Sequence, residues 1–428
     1  MTHEIFDKIG EEMYSHVLSN GLKIYYIPKN NFSKTFAMLA TNFGSADQKF
    51  QMLNGEVLDT PAGVAHFLEH KMFEDEDGNA LQKFAKTGAS PNAFTSRNMT
   101  AYYFSCTDNF YENLNILTKF VCTPYFTNEN VKKEKGIIEQ EISMLDDDPF
   151  WNAYTNVYAG MYHNHPIRIS IAGSAKSIAP ITPDLLYQCH KAFYSPKNLV
   201  LTVCGNADFD KIIEIAEKNT PKQADEIANR FYGERQNTVY KNHIAVKMNV
   251  PQPFFMIGIK DIPFEKNESQ SKRQLIGELC CEILAGKSSS LYNKLYKNGT
   301  LNRRFDVGYT IHPDAACVLF SGDSKNPKEV YTAILNNICE IVKNGISDDE
   351  FNRVKLMHYG MMIRSLDRTD DLCRMQCEAA FANENFATSS LQYDEITKDD
   401  LLNMFKIWND ENRFTLSEVI PLEDNQEV

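Results

Sequence analysis

The chain has 428 residues, 43% of them hydrophobic, which is enough to bury a sizeable core and to build two or three domains. A formal net charge of −13 argues against nucleic acid or an anionic membrane as the main partner. The same balance suits plain solubility, or a basic or extended peptide.

Residues 1–21 are polar and acidic, with neither an apolar signal core nor an Arg-rich transit pattern. No apolar run approaches the length of a membrane span. The ten cysteines, Cys106 and Cys122 through Cys373 and Cys377, form no CxxC pair and no regular spacing. A disulfide framework or zinc ribbon is therefore not indicated, and reduced thiols in a cytoplasmic protein fit best.

In chain order, "NGLKIYYIPK" (20–29) is a turn followed by a β-rich run, and "TFAMLATNFGS" (35–45) is a second strand. "LDTPAGVAHFLEHKMF" (58–73) reads as a helix, with Thr60 able to cap it and Pro61 suited to its first turn. A helix over 79–88 stops at Gly88. "NAFTSRNMTAYYFSC" (92–106) is a strand or hairpin. Helices are predicted over 108–122, 130–147 and 181–193, and a buried strand over 198–206. The polar stretch 221–237 reads as a connection between halves, giving domains at 1–220 and 238–428. The second half repeats strand (253–261), helix (270–286) and two strands (305–312, 316–322), then two helices (328–344, 347–366). That order echoes the first half without a literal sequence repeat.

The chemistry concentrates in "VAHFLEHKMFED" (64–75). On a helix, His66 and His70 lie one turn apart on one face, with Glu69 on the same side. Two imidazoles so spaced can grip one Zn²⁺, and a neighbouring glutamate can take a proton from an activated water. The order H-x-x-E-H reverses the commoner H-E-x-x-H. The competing reading is an amphipathic helix with these polar residues on its wet face. A hydrolytic zinc site has three protein ligands and one open position. The helix "VKKEKGIIEQEISMLDDD" offers Glu134, Glu139 and Glu141 for the third, although helical glutamates are ordinarily just solvated.

"PAGVAHFLEHKMF" (61–73) resembles the pitrilysin family, which includes insulin-degrading enzyme and mitochondrial processing peptidase, at every position of that family's P-x-G-x-A-H-x-L-E-H-x-x-F. The family's later E-x-x-x-x-x-x-E pair corresponds to Glu134 and Glu141. The resemblance implies that Glu141 completes a His66–His70–Glu141 zinc site, that Glu69 is the general base, and that Glu134 orients the site from behind. The family's N-A-x-T strand corresponds to Asn92, Ala93 and Thr95, which in relatives pairs with the substrate backbone. "NHPIRISIAGS" (164–174) is also family-like, with His163 and His165 read as structural loop residues. The implied fold is α+β: two structurally similar domains, each a mainly antiparallel sheet with helices packed on it, facing each other across a chamber.

One departure stands out. Active single-chain relatives carry an Arg and a later Tyr on the second domain, and the Tyr helps stabilise the oxyanion. Aligning "SSSLYNKLYKNGTLNRRFDVGY" puts Tyr296 at the Arg position and Asn302 or Arg303 at the Tyr position. Tyr309 and Tyr296 are then the candidate donors within this chain. The resemblance favours the zinc-bearing subunit of a two-chain peptidase, a heterodimer whose homologous partner supplies the Arg and Tyr. The alternatives are a self-sufficient or homodimeric peptidase and a non-catalytic peptide-binding or assembly subunit.

Overall fold

In the computed structural model the described residues are 1–422 except 53, 77, 224–227 and 264–267. They form two compact units, each assembled from three chain segments: Met1–Ile142, Ser170–Tyr232 and Met362–Ser390, and Ser143–Ile169, Gly233–Met361 and Leu391–Val428.

The first unit carries a seven-stranded sheet. Its spatial order is Thr2–Phe6, Glu11–Val17, Lys23–Pro28, Leu199–Gly205, Thr35–Thr41, Thr100–Cys106 and Ser90–Thr95. Leu199–Gly205 runs parallel to Lys23–Pro28 and antiparallel to Thr35–Thr41. Both Leu199–Gly205 and Thr35–Thr41 are buried at every position, as near-continuous apolar runs in a sheet covered on both faces should be. The second unit has a five-stranded sheet in the order His243–Met248, Phe414–Pro421, Phe254–Asp261, Ala315–Asp323 and Asp306–His312, with its first two strands parallel. Omitting the N-terminal hairpin, both sheets arrange their five strands by chain order as first, fifth, second, fourth, third, with first and fifth parallel. The duplication suggested by the order of elements is thus a duplication of topology.

The compact units do not follow chain order, as a split into 1–220 and 238–428 would. The helix Pro149–Met161 follows the fourth strand of the first sheet, yet packs on Phe414–Pro421 and Phe254–Asp261 of the second unit. The helix Thr369–Phe381 holds the matching place in the second half, yet packs on Leu199–Gly205 and Thr35–Thr41 of the first. Its Leu372, Cys373, Cys377 and Ala380 join one core with Ile27, Met38, Val200 and Cys204. The expected connection over 221–237 lies partly outside the described residues. Its described part is tied down: Asn229–Phe231 pairs with Lys49–Gln51, Arg230 Nε lies 3.1 Å from the buried Asp47, and the Tyr232 hydroxyl donates to Asp47 at 2.7 Å.

The predicted strands and helices are present with ends shifted by a few residues. No expectation covered the N-terminal hairpin, the exchanged helices 149–161 and 369–381, the helices 209–219, 290–297 and 398–408, or the strands 243–248 and 414–421. The 149–161 helix carried a usable signal, since Asp148 caps it by accepting from Trp151 N and Pro149 occupies its first turn.

The exchanged helix 149–161 sits close to its sheet. A Cβ on Gly258 would lie 2.6 Å from Met161 Sδ and 2.9 Å from Val157 Cγ2. Gly258→Val is therefore expected to lower stability by about 1–3 kcal/mol. The loss should shrink when Met161→Ala is added, as denaturant melts of both variants would measure.

A second test concerns pH. His190 donates from Nε2 to the Val121 carbonyl at 3.1 Å and stacks on Tyr194, and burial pushes its pKa from 6.5 down to about 4. Between those values the unfolded chain binds the proton and the folded chain does not. Its contribution is thus complete above pH 6.5 and is lost as pH falls towards 4, at up to about 1.4 kcal/mol per pH unit. His190→Gln, which keeps a donor but does not titrate, should flatten the stability profile in this window.

Candidate metal centre

The first element of the candidate site is a helix at Val64–Met72, here α1. It is short, and every residue except His70 is buried. This removes the amphipathic reading, because the helix has no wet face. Its start differs from the expected capping. Thr60 is buried and donates to the Gln48 carbonyl instead, and the N-cap is Gly63, with φ 94° and no side-chain cap. The reason is steric. A Cβ on Gly63 would lie 2.5 Å from the Ala172 carbonyl oxygen, and one on Gly173 (φ 74°) would lie 2.5 Å from that of Ala62. Two left-handed glycines thus let the chain before α1 interlock with the 172–174 turn, and Ser177 Oγ donates to the Ala62 carbonyl at 2.8 Å.

The second element is the helix Asn128–Asp146, here α2. Val131, Glu134, Ile138 and Ile142 form its buried face. Glu134 and Glu141 lie two turns apart on the side that meets α1, whereas Glu139 is exposed. The burial periodicity thus separates the three glutamates that the sequence left as alternatives.

Donor atoms of His66, His70 and Glu141 all lie within 4.8 Å of one another. His66 Nε2 is 3.5 Å from Glu141 Oε1, and His70 Nε2 is 3.5 Å from Glu141 Oε2. Both imidazoles present the same nitrogen to one carboxylate, and two nitrogens with one oxygen is a donor set that suits zinc. The Glu141 side chain keeps 38% of its surface exposed, so the group opens to solvent on that side. Among the described residues this is the one such cluster of His, Cys, Asp and Glu.

Behind the ligands, His70 Nδ1 donates to Glu134 Oε1 at 3.1 Å, and Lys71 Nζ lies 3.3 Å from Glu134 Oε2. Glu134 is 6% exposed. Burial pushes its pKa up, but His70 and Lys71 outweigh this and hold it below the usual value. His70 is pulled down by burial, yet Glu134, Glu69 and Glu141 together raise it. Glu141 is lowered chiefly by its bond to His66, against burial. The pocket is therefore built to attract a cation. His66 Nδ1, by contrast, is buried with no hydrogen-bond partner among the described residues.

Glu69 is 8% exposed, and the Thr95 hydroxyl donates to its Oε2 at 2.6 Å. Sequence reasoning placed Thr95 with the substrate and missed this bond. The strand Ser90–Thr95 lies at the sheet edge, and Ala93 N–H is held by Asn92 Oδ1 at 2.8 Å rather than by a further strand. In the second unit Tyr309 is 4% exposed, its hydroxyl donating to Asp261 at 2.6 Å and accepting from Arg273 Nε. Tyr296 is 40% exposed. His165 Nε2 donates to the Pro313 carbonyl and its Nδ1 accepts from Ile167 N, a structural loop role.

Fold and site together define a two-unit α+β protein whose first unit brings together a His–His–Glu group that could hold a metal ion. The model described as "Insulinase (Peptidase family M16)" matches residues 54–175, and that described as "Peptidase M16 inactive domain" matches 180–357. An uncharacterized zinc protease of Bacillus subtilis, YmfH, is 36% identical over 97% of this chain and 98% of its own. A crystal structure of an M16-like peptidase from Alicyclobacillus acidocaldarius superposes with a TM-score of 0.91 at 32% identity, over 96% of this chain and 99% of that one. A Helicobacter pylori protease shares the fold, with a TM-score of 0.80 at 18% identity over 96% and 100%. The chain belongs to the M16 peptidase family, the pitrilysin family anticipated from its motif.

Glu141→Ala and His66→Ala are expected to lose most bound zinc, and Glu139→Ala to keep it. Metal analysis of the purified variants tests this, and full zinc in Glu141→Ala would remove that residue from the site.

Proposed function

We propose that this chain is a zinc metalloendopeptidase acting on extended peptides. The observation that carries the reading is the convergence of His66, His70 and Glu141 donor atoms within 4.8 Å on two helices. When bound there, zinc supplies Lewis acidity, polarising a carbonyl and lowering the pKa of a water to about 7.

The chain's own residues do the rest. Glu69 is the proton carrier: it takes the proton of the attacking water and returns it to the leaving amine. The Thr95 hydroxyl occupies Oε2, which leaves Oε1 to receive that proton. A peptide in extended form adds to the edge strand at Asn92–Thr95 and takes over the Ala93 N–H now held by Asn92. Thr95 thereby links the strand that receives the peptide to the base that acts on it.

The oxyanion also needs a donor. Tyr309 is a poor candidate, because its hydroxyl is buried between Asp261 and Arg273. This supports the zinc-bearing subunit of a two-chain enzyme, with a homologous partner supplying Arg and Tyr. The exposed Tyr296 supports the second reading, a chain that supplies its own donor. The ten free thiols suit a reducing setting, and we place the protein in the cytoplasm.

Glu69→Gln should retain zinc and fold while peptide hydrolysis falls by about 10²–10⁴-fold. Thr95→Val should lower kcat about tenfold with zinc unchanged, and Thr95→Ser should restore it. Native turnover in Glu69→Gln would remove the proposed base. For the donor, the purified chain should cleave peptides poorly until a homologous partner is added. Efficient cleavage by the lone chain, lost in Tyr296→Phe, would favour the self-sufficient enzyme.

A further inference from the structure

Lys71 follows the second histidine of the motif and is completely buried, with 0% exposure. An ammonium in such a place is costly unless it is paired. Its Nζ lies 2.6 Å from Glu74 Oε2 and 3.3 Å from Glu134 Oε2. The other oxygen of Glu134 accepts from His70 Nδ1 at 3.1 Å. Glu74, Lys71, Glu134 and His70 therefore form one continuous chain of charged hydrogen bonds that ends on a metal ligand.

Stability alone does not explain this arrangement, because replacing a whole buried ion pair with apolar groups of similar volume is often neutral or stabilising. What the ammonium does specifically is hold one oxygen of a carboxylate that could otherwise rotate. With Oε2 held, Oε1 is aimed at His70 Nδ1. That bond fixes the tautomer and the ring plane, and it leaves the Nε2 lone pair directed towards Glu141. His66 has no comparable support, since its Nδ1 is without a partner among the described residues. The outer support of the centre is thus concentrated on His70.

Resting on the zinc reading above, we propose that Lys71 is a positioning residue for the metal: through Glu134 it orients His70 and so sets zinc affinity. Loss of the charge alone would act the other way, because removing one cation favours binding of another. The sign of the change therefore separates orientation from electrostatics.

The test is zinc affinity, by competition with a chelating dye, for the full chain and for Lys71→Met, Glu134→Gln and the double variant. Lys71→Met is expected to weaken zinc by about 10–100-fold, as losses of outer-shell partners do. The double variant should be no weaker than Glu134→Gln alone, because both changes remove the same support. Lys71→Met should also melt lower than the parent in the metal-free state, because Glu74 and Glu134 lose their cation, and part of that loss should return in the double variant. If Lys71→Met does not fold, Lys71→Ala carries the same comparison. Zinc binding within twofold of the parent, tighter binding, or losses that add in the double variant would each overturn the inference. His66→Ala and Glu141→Ala serve as controls. If they lose zinc while Lys71→Met does not, only this inference fails; if they too keep zinc, the metal assignment itself fails.

Discussion

A helix that buries an imidazole, a carboxylate and an ammonium must give each of them a partner, and that requirement organises the first unit around α1. Left unpaired, each of these buried groups would cost free energy. Each polar residue is accordingly met by another element. Glu141 meets both histidines, Glu134 meets His70 and Lys71, and Thr95 meets Glu69. The position of α2 and the register of the edge hairpin follow from these pairings as much as from the apolar core.

The glycine interlock before α1 serves the same end. Gly63 starts the helix in a left-handed conformation because the 172–174 turn leaves no room for a side chain. The P-A-G of the motif is therefore a backbone requirement, distinct in kind from the H-x-x-E-H that follows. The chemistry-bearing and space-making residues are neighbours in sequence because one helix needs both.

The shared strand order of the two sheets and the matched exchange of helices 149–161 and 369–381 point to one structural plan used twice. Only the first copy carries a His–His–Glu group among the described residues. In the second, the buried Asp261–Arg273–Tyr309 cluster is a satisfied network whose polar atoms face one another. Under the proposed zinc reading, this satisfied network offers no free donor at Tyr309, so the partner question arises from the structure as well as from the departure in the motif.

Much of the fold was legible in the sequence, because helix and strand periodicities, Gly88 as a helix stop, and the H-x-x-E-H spacing are local properties of the chain. The pairing of Glu141 with His66 and His70 was legible only through resemblance to a family, since Glu134, Glu139 and Glu141 are equivalent glutamates to anyone reading the helix alone. Tertiary structure decided between them by turning Glu139 outward and Glu134 inward. It also decided what Lys71, Thr95 and Gly63 are for, because their partners lie tens of residues away, at Glu134, Glu69 and Ala172. The exchange of helices was invisible for the same reason: Pro149–Met161 announces itself as a helix through Asp148 and Pro149, but which sheet it covers depends on Gly258 and Phe414–Pro421, about one hundred residues or more further along. Local periodicity determines what an element is; only the folded chain determines what it meets.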